Sequence, residues 1–405
     1  MSEWKKVKLG ELYEVHNGLS KGRQFFGSGY PFLTFSTVFN NWFLPKELDS
    51  LVQSSEKERE ACSIRKGDVF ITRTSETMDE LGMSSVALRD YPDATYNGFT
   101  KRLRPITDDV IPEYIGYYLR SPKFRGKFMA FSTMTTRASL ANGDLLGMEV
   151  ELPSKEEQHR IATILSRYDS LIENYQKQIK LLEEAAQRLY KEWFVDLHFP
   201  GHENTKIVDG VPEGWEKRPI GDVVVYYDKQ RKPLSSMQRM NMEKIYPYYG
   251  AAALMDYVDS YLFDGIYLLL GEDDTVITPD NFPVLQYVWG KFWVNNHAHV
   301  LRGKDGISTE FLYSMFKEMP IADVVTGAAQ PKISQGRLSD KKILMPSLKL
   351  IQEWSCIAKH YFGRIRMITE QIRLLTEARD RLLPKLMNGE IELEGEKRPE
   401  RPTIS

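Results

Sequence analysis

One twelve-residue segment occurs twice in this chain, and this duplication limits the possible folds more than any other feature. Residues 178–189 read QIKLLEEAAQRL, and residues 371–382, which lie 193 positions later, read QIRLLTEARDRL. Eight of the twelve positions are identical. Solenoid repeats recur every ~20–50 residues, so a period of this length indicates a duplicated domain instead.

The repeat extends beyond this segment, but the sequences between its matching positions differ. Residues 152–154 (LPS) align with residues 345–347 (MPS) at the same offset, and Trp4 aligns with Trp215 at an offset of 211. The stretches between these anchors do not match. We therefore expect two copies of one plan, an internal pseudo-two-fold repeat, in which a common frame serves two different targets.

Two long helices are predicted, one after each anchor. Residues 155–191 contain neither proline nor glycine, Ser154 can cap the first helix, and apolar residues recur every seven positions in both copies. Such heptads predict an antiparallel coiled coil of the two helices. The alternative is that each helix packs only on its own globular half. The predicted seam consists of Ile161, Tyr168, Tyr175, Leu182 and Leu189 in the first helix and Trp354, Tyr361, Ile368, Leu375 and Leu382 in the second.

The segments ahead of the helices have a different pattern. They are rich in glycine, aromatic and β-branched residues, with short apolar runs such as 68–72 and 265–270 that predict strands, and with short helices expected at 112–119 and 309–316. The predicted fold class is α/β (mixed α+β), with two globular domains joined by two long helices. The expected boundaries are 1–154 for the first globular domain, 155–196 for the first helix, 197–212 for a linker, 213–347 for the second globular domain, 348–389 for the second helix and 390–405 for a polar tail.

Composition places the chain among ordinary globular proteins. Of its 405 residues, 42% are hydrophobic and 27% charged, and the net charge is −2. No apolar run approaches the ~20 residues of a membrane span, and the first residues do not resemble a secretory signal. The two cysteines, Cys62 and Cys356, are far apart and are expected to be buried free thiols in a reducing compartment. We therefore expect a cytoplasmic protein.

Motifs that would support catalysis are missing from the sequence. It contains no GxxxxGK[ST] phosphate loop, no complete GxGxxG fingerprint and no HExxH. Residues 18–22 (GLSKG) fit GxSxG, but a polar segment precedes them where a nucleophile elbow needs a buried strand. His297 and His299 have no acidic or cysteine partner at a plausible spacing, so no metal site is predicted. We expect a chain without a catalytic site of its own.

The arrangement as a whole resembles the specificity subunit of Type I restriction-modification enzymes. The features that carry the resemblance are the two dissimilar globular segments, the near-repeated helix after each, the Pro-Ser pair before each helix and the closing residues 382–393 (LLPKLMNGEIEL). Residues 248–274 and 291–303 are also similar to recognition segments of that family. The resemblance covers essentially the full length.

The resemblance implies that recognition, methylation and cleavage are carried by different subunits. Each globular domain would be a target recognition domain that reads one half of a bipartite, asymmetric site in double-stranded DNA. The helices would set the distance between the halves and dock two modification (methyltransferase) subunits. S-adenosylmethionine and adenine methylation would belong to these partners, and ATP, magnesium and cleavage to restriction (motor-nuclease) subunits. The alternative hypothesis is a duplicated coiled-coil protein-binding scaffold that does not recognise DNA.

Candidate DNA-binding residues are polar side chains at predicted strand ends and turns, where amides, hydroxyls and charged groups can reach base edges or phosphates. At the 193 offset Arg137 matches Gln330 and Ser139 matches Lys332, so two equivalent loops carry different side chains. Structural turn roles remain the alternative, and Trp289 and Trp293 are expected in the core. The candidates are Arg73, Thr74, Ser75, Asn97, Lys101, Thr135 and Arg137 in the first domain and Tyr248, Tyr249, Glu272, Asp273, Asn295, Asn296, His297, Gln330 and Lys332 in the second.

Overall fold

The computed structural model describes residues 4–75, 81–131, 138–139, 141–327 and 330–391. The chain divides into two compact units, and each unit combines one globular domain with part of both long helices. The first unit comprises Met1–Glu173 and Arg373–Ser405, and the second comprises Asn174–Ile372. The mixed α+β class predicted from the sequence is confirmed.

The described α-helices comprise two long ones and shorter ones that belong to the globular domains. They are α1 (Leu9–Leu12), α2 (Phe35–Asn40), α3 (Glu56–Ala61), α4 (Pro112–Arg120), α5 (Pro122–Phe131), α6 (Asn142–Gly147), α7 (Lys155–Phe194), α8 (Ser236–Met240), α9 (Thr309–Lys317), α10 (Gln335–Asp340) and α11 (Leu348–Met387).

The described strands are short, and most are antiparallel. In the first unit they are β1 (Lys5–Lys8), β2 (Tyr13–Asn17), β3 (Phe26–Leu33), β4 (Leu51–Val52), β5 (Val69–Thr72), β6 (Thr74–Ser75), β7 (Ser84–Val86), β8 (Thr95–Tyr96), β9 (Thr100–Pro105), β10 (Ala138–Ser139) and β11 (Glu149–Leu152). In the second unit they are β12 (Ile207–Val208), β13 (Val211–Pro212), β14 (Glu216–Pro219), β15 (Val224–Tyr226), β16 (Tyr246–Tyr249), β17 (Leu254–Val258), β18 (Phe263–Gly271), β19 (Leu285–Val294), β20 (Ala298–Gly303), β21 (Val325–Thr326), β22 (Lys332–Ile333) and β23 (Lys342–Met345).

The first unit is built around a four-stranded antiparallel sheet with the order β2-β9-β5-β7. Strand β5 (VFIT) is buried along its whole length because the sheet is covered on both faces. Buried apolar side chains of α4, such as Tyr114 and Ile115, join the core on one face, and Phe70 packs with Tyr96 on the other. The sheet determines the positions of the ends of its strands and of the loops that follow them.

The second unit contains a larger sheet with the order β15-β20-β18-β19-β16-β17. Its pairs are antiparallel except for β16 beside β19. Strand β18 lies between β20 and β19 and contributes Leu268 and Leu270 to one core cluster and Leu269 to another, as alternation of side chains across a strand requires.

The register of the two units repeats the offsets found in the sequence. In the first unit β1 pairs with β11 so that Lys5 lies opposite Leu152, and in the second β14 pairs with β23 so that Glu216 lies opposite Met345. Glu216 follows Lys5 by 211 positions and Met345 follows Leu152 by 193, the same two offsets that the anchors give. The duplication is therefore present in the backbone as well as in the sequence.

The two long helices pack together in both units. In the first unit, Ile161 and Leu165 near the start of α7 share a core with Leu383 and Leu386 near the end of α11. In the second, Tyr190 near the end of α7 meets Trp354 near the start of α11, with the rings perpendicular and their centroids 5.8 Å apart. The start of each helix thus lies against the end of the other, which confirms the antiparallel coiled coil.

The predicted seam residues differ in how deeply they are buried. Ile161, Trp354 and Ile368 are fully buried, whereas the other seven are half-buried. In α7 the buried positions also include Leu165, which belongs to a core cluster with residues of α11 and of the globular domain. Each helix packs against the other helix and against a globular domain. Its apolar face is therefore wider than a coiled-coil seam with two apolar positions per heptad. The predicted cap is present, since Glu157 N donates to Ser154 Oγ at 3.2 Å.

The two cysteines have different environments. Cys62 is buried, but Cys356 is exposed on α11, so the expectation of two buried thiols is wrong for the second. Cys356 lies two residues beyond Trp354 and therefore points away from the face that packs. Among the described helices, none combines the length and the apolar composition needed to cross a membrane.

Candidate nucleic-acid interface

The central buried strand of each unit ends at an equivalent position of the fold. In the first unit β5 ends at Thr72, and the backbone N–H of the next residue, Arg73, donates to the Phe99 carbonyl at 3.0 Å. In the second unit β18 ends at Gly271, and the N–H of Glu272 donates to the His297 carbonyl at 2.9 Å. Arg73 and Glu272 are therefore equivalent positions.

The neighbouring strand supplies a second equivalent pair. Lys101 of β9 lies opposite Ile71, and His299 of β20 lies opposite Leu270. Because side chains on one face alternate, Lys101 is the diagonal neighbour of Arg73, at a typical spacing of roughly 7–8 Å. We refer to Arg73 and Lys101, and to Glu272 and His299, as the strand-end pairs of the first and second unit.

The loops that the 193-residue offset links also meet these strand ends. Ser139 pairs with Thr74 in the first unit, and Lys332 forms a bridge with Asp273 in the second. This placement agrees with the sequence alignment of the two loops. The side chains of Thr74 and Ser75, and all of Thr135 and Arg137, lie outside the described part of the structure, so their DNA-binding roles stay predictions.

The strand-end pair of the first unit consists of two cations. Lys101 is only 4% exposed, and its Nζ donates to Asn142 Oδ1. Burial and the nearby charge of Arg73 lower the pKa of the Lys101 ammonium below its usual range. The Nε atom of Arg73 is buried without a hydrogen-bond partner. Within the described residues, no carboxylate forms an ion pair with either side chain.

The surroundings of this pair are open and polar. Phe99 is 59% exposed, and Asn17 and Asn142 are exposed as well. Asn97 Oδ1 accepts from Phe99 N at 2.6 Å, so this predicted DNA contact shapes the turn that presents Phe99. Phe99 and Asn142 were not among the sequence candidates. An exposed aromatic within an Asn-Gly-Phe turn was the available signal for the first, and no sequence signal marked the second.

The strand-end pair of the second unit lies in a network of opposite charges. Arg231 Nη1 donates to Glu272 Oε2 at 2.6 Å and to the Ala298 carbonyl at 2.6 Å, and Lys332 Nζ lies 3.4 Å from Glu272 Oε1. His299 is 1% exposed, with Nδ1 2.6 Å from Asp228 Oδ2 and Nε2 2.8 Å from the Ile333 carbonyl. The Glu272 carboxylate is thus already occupied by two cations of its own chain.

Metal binding has to be considered again at this place. The sequence suggested no acidic partner for the histidines, but the fold brings Asp228 and Glu272 to His299, with ligand atoms within 4.8 Å of one another. His297 likewise has Asp273 Oδ1 2.5 Å from its Nδ1. Arg231 contacts both Glu272 and Asp228, and it therefore supplies the positive charge that a cation would bring. The geometry is that of an ion-pair network.

The remaining candidates of the second unit separate into buried and exposed groups. Tyr248 is 1% exposed and its hydroxyl accepts from Leu234 N, while Asn295 is 3% exposed and its Oδ1 accepts from His297 N. Neither side chain faces solvent in this structure, and their DNA-binding roles stay predictions. Tyr249 is half-buried against Phe292. The exposed candidates are Asn296, His297, Gln330 and Lys332.

Two further sequence expectations concern this region. Trp293 is buried and its Nε1 donates to the Lys232 carbonyl, as expected for a core residue, whereas Trp289 is half-buried. Arg231 belongs to a basic run (residues 229–232), and its guanidinium pairs with Glu272 inside the domain. A separation of 41 residues between Arg231 and Glu272 left no pattern by which sequence reasoning could join them.

Comparisons with known proteins agree with this duplicated architecture. A family model described as the Type I restriction modification DNA specificity domain matches residues 1–184 and 212–373. The type I restriction enzyme MjaIX specificity subunit of Methanocaldococcus jannaschii is 26% identical, over 97% of this chain and 94% of the relative. A putative type I specificity subunit of Haemophilus influenzae is 32% identical over 36% of this chain and 37% of its own length.

The same architecture occurs in a solved structure. The crystal structure of the type I restriction-modification system S subunit from M. genitalium superposes with a TM-score of 0.55, covering 95% of this chain and 96% of that one at 17% identity. At this identity the likeness concerns the fold alone. Since the family model covers most of both units, the chain belongs to the type I restriction-modification DNA specificity family.

Proposed function

We propose that this chain is the DNA sequence-recognition subunit of a type I restriction-modification complex, and that each globular domain reads one half of a bipartite, asymmetric site. The observation that carries the proposal is the pair of equivalent strand ends. One backbone frame presents Arg73 and Lys101 in the first unit and Glu272 and His299 in the second. A protein that reads two different half-sites needs one scaffold with different side chains at the reading positions.

The partners and cofactors follow from the same proposal. Two modification subunits would dock on the long helices and carry S-adenosylmethionine and adenine methylation, and restriction subunits would carry ATP-dependent cleavage with magnesium. This chain would contribute recognition without a catalytic step, as the name specificity subunit of its relatives implies. The repeated helical segment supports two equal docking positions, because it carries the same exposed leucine in each copy, Leu181 and Leu374.

A protein-binding scaffold without DNA recognition is the weaker alternative. It accounts for the duplicated helices but not for the cationic strand-end pair of the first unit. The variable side chains of the two strand ends also favour a target that differs between the two halves. DNA recognition explains both features.

Electrophoretic mobility shifts with duplex DNA test the proposal. The full chain would be assayed alone and with its modification subunit, on a duplex that contains the methylated site of the host genome and on an unrelated duplex. We expect sequence-dependent binding that weakens steeply as salt rises, because phosphate contacts release counterions. If neither preparation distinguishes the two duplexes, and if binding does not respond to salt, the chain is not a DNA reader.

A further inference from the structure

Within the described residues, no carboxylate pairs with the strand-end pair of the first unit, and this distinguishes the pair from Arg104 of the same sheet. At the opposite end of β5, Arg104 forms two hydrogen bonds to the fully buried Asp68, at 2.7 and 2.8 Å. At the end formed by Arg73 and Lys101, Lys101 Nζ donates a hydrogen bond to a neutral amide oxygen, Asn142 Oδ1. Over the described residues, a carboxylate therefore binds the cation at one end of β5, and none binds the two cations at the other end.

In the second unit, the charged side chains at the equivalent strand end are paired with opposite charges or with a carbonyl. There the position of Arg73 is taken by Glu272, which is bound by Arg231 and Lys332. The position of Lys101 is taken by His299, which is bound by Asp228 and a backbone carbonyl. Each charge has a partner from the same chain. Among the residues that the structure describes, the charges at this place are paired with opposite charges in the second unit, whereas Arg73 and Lys101 in the first unit have no carboxylate partner.

Resting on the proposed function, we propose that Arg73 and Lys101 form a binding site for one backbone phosphate of DNA, and that Glu272 fills the equivalent place in the second unit with an internal anion. The two domains then contact DNA through different side chains at equivalent strand ends. The first takes an external anion there, while the second presents to the solvent the exposed His297 and Lys332 around a neutralised centre.

The chemistry of the pair favours a phosphate over a base edge. A guanine edge offers acceptors to an arginine but no net charge, so it would leave the buried ammonium of Lys101 beside Arg73 uncompensated. A phosphate carries a full negative charge and accepts from a guanidinium in a bidentate geometry. Its charge would offset both the desolvation of Lys101 and its repulsion from Arg73. The exposed side chains of Asn17, Phe99 and Asn142 leave the place open to such a ligand.

Salt-dependent binding of the full chain, in complex with its modification subunit, tests the site. The variants are Arg73→Ala, Lys101→Met and Arg73→Glu, the last giving the first unit the charge that Glu272 has in the second. The matched control is Lys66→Ala, an exposed lysine just before the other end of β5. Urea unfolding of each variant verifies that the fold is retained.

We expect Arg73→Ala and Lys101→Met each to weaken binding of the specific and the unrelated duplex equally, by about fivefold near 0.15 M salt. In each variant the slope of log K against log salt should decrease in magnitude by at most about 0.9, the value for one phosphate contact, because the other cation remains. Arg73→Glu should weaken binding further, and Lys66→Ala should change neither quantity. A loss confined to the specific duplex would mean that Arg73 reads a base, and unchanged affinity and slope would mean that no phosphate binds here; either result overturns the inference.

Single methylphosphonate substitutions in the duplex give a second, independent readout that does not require the variants to be equally stable. One neutralised phosphate in the first half-site should weaken binding by the wild type more than binding by Arg73→Ala, which retains only Lys101 at this site. If no phosphate shows this dependence, the inference fails while the proposed function stands. Loss of all sequence-dependent binding by the wild type would instead contradict the proposed function itself.

Discussion

Single residues at equivalent backbone positions have opposite electrostatic roles in the two copies. Arg73 has an Nε atom that is buried and unpaired, whereas Glu272 accepts from Arg231 at 2.6 Å with both side chains largely buried. A partly buried charge without a partner lowers the folding stability, whereas a charge with a partner is held in one position. Glu272 is therefore expected to stabilise the second unit, independently of any contact with DNA.

Replacing Glu272 by glutamine tests this structural role. The variant keeps the shape of the side chain but removes the nearer of the two carboxylates beside Arg231, leaving Asp228 at 3.7 Å. We expect the free energy of unfolding to fall by about 2–4 kcal/mol. Urea unfolding followed by tryptophan fluorescence measures the change. Asp280→Asn, at an exposed position of the same unit, serves as the control and should stay within about 0.5 kcal/mol of the wild type. Equal stability of Glu272→Gln and the wild type would show that the network around Arg231 does not hold the fold.

The repeated helical segment preserves exposed apolar residues that the fold itself does not use. Leu181 of α7 is 64% exposed and Leu374 of α11 is 49% exposed, and they occupy the same position of the two copies. A side chain that is identical in both copies yet contributes little to either core is best explained by a shared contact outside the chain. This feature supports the proposed docking of two modification subunits.

Charged substitutions at these leucines test the docking positions separately. We expect Leu181→Asp or Leu374→Asp to weaken one docking event at least about tenfold, and the double variant to weaken both. Native mass spectrometry of the purified complex counts the bound modification subunits. Met367→Asp is a matched control, because Met367 is 54% exposed while its counterpart in the other copy is Asn174. Full occupancy in the double variant would place the docking surface elsewhere.

The whole molecule combines each reader with parts of both helices. In the second unit, Phe311 of the globular domain packs against Phe194 of α7 and Trp354 of α11, with centroids 5.3 and 5.8 Å apart. In the first unit, Tyr117 of α4 bonds Asp169 of α7, and Arg379 of α11 lies 2.6 Å from the same carboxylate. Each reader is therefore held by its own set of contacts to the helical pair, which permits one to be replaced without the other.

Exchange of residues 213–345 for the corresponding domain of a relative tests this independence. The replacement leaves α7 and α11 intact, and a donor with an aromatic residue in place of Phe311 can keep the packing on Trp354. We expect only one half of the recognised sequence to change, as measured by sequencing of methylated adenines in cells that carry the complete system. A chimera that is folded but has lost both half-specificities would contradict independent readers.

Much of the architecture could be predicted from local patterns. The heptads of α7 and α11 and the Ser154 cap depend on residues that are close in sequence, because 3.6-residue periodicity and capping act within one or two turns. The central strands β5 and β18 were likewise visible as short apolar runs. Burial of the seam residues was predicted less well, since Tyr168 and Leu375 are half-buried where the seam predicted burial. Heptads describe packing against one helix, and these helices pack against a globular domain as well.

The sequence by itself determined that the chain is a duplication, that two long helices pair, and which loops are equivalent. Only the tertiary structure decided the charge environment of those loops. Arg231 and Glu272 are 41 residues apart, and Arg73 and Lys101 are 28 apart, so no local pattern could show that the first two neutralise each other while the second two repel. The physical reason is that electrostatic energy depends on distance and burial in space, and both are fixed by which strands become neighbours in the sheet.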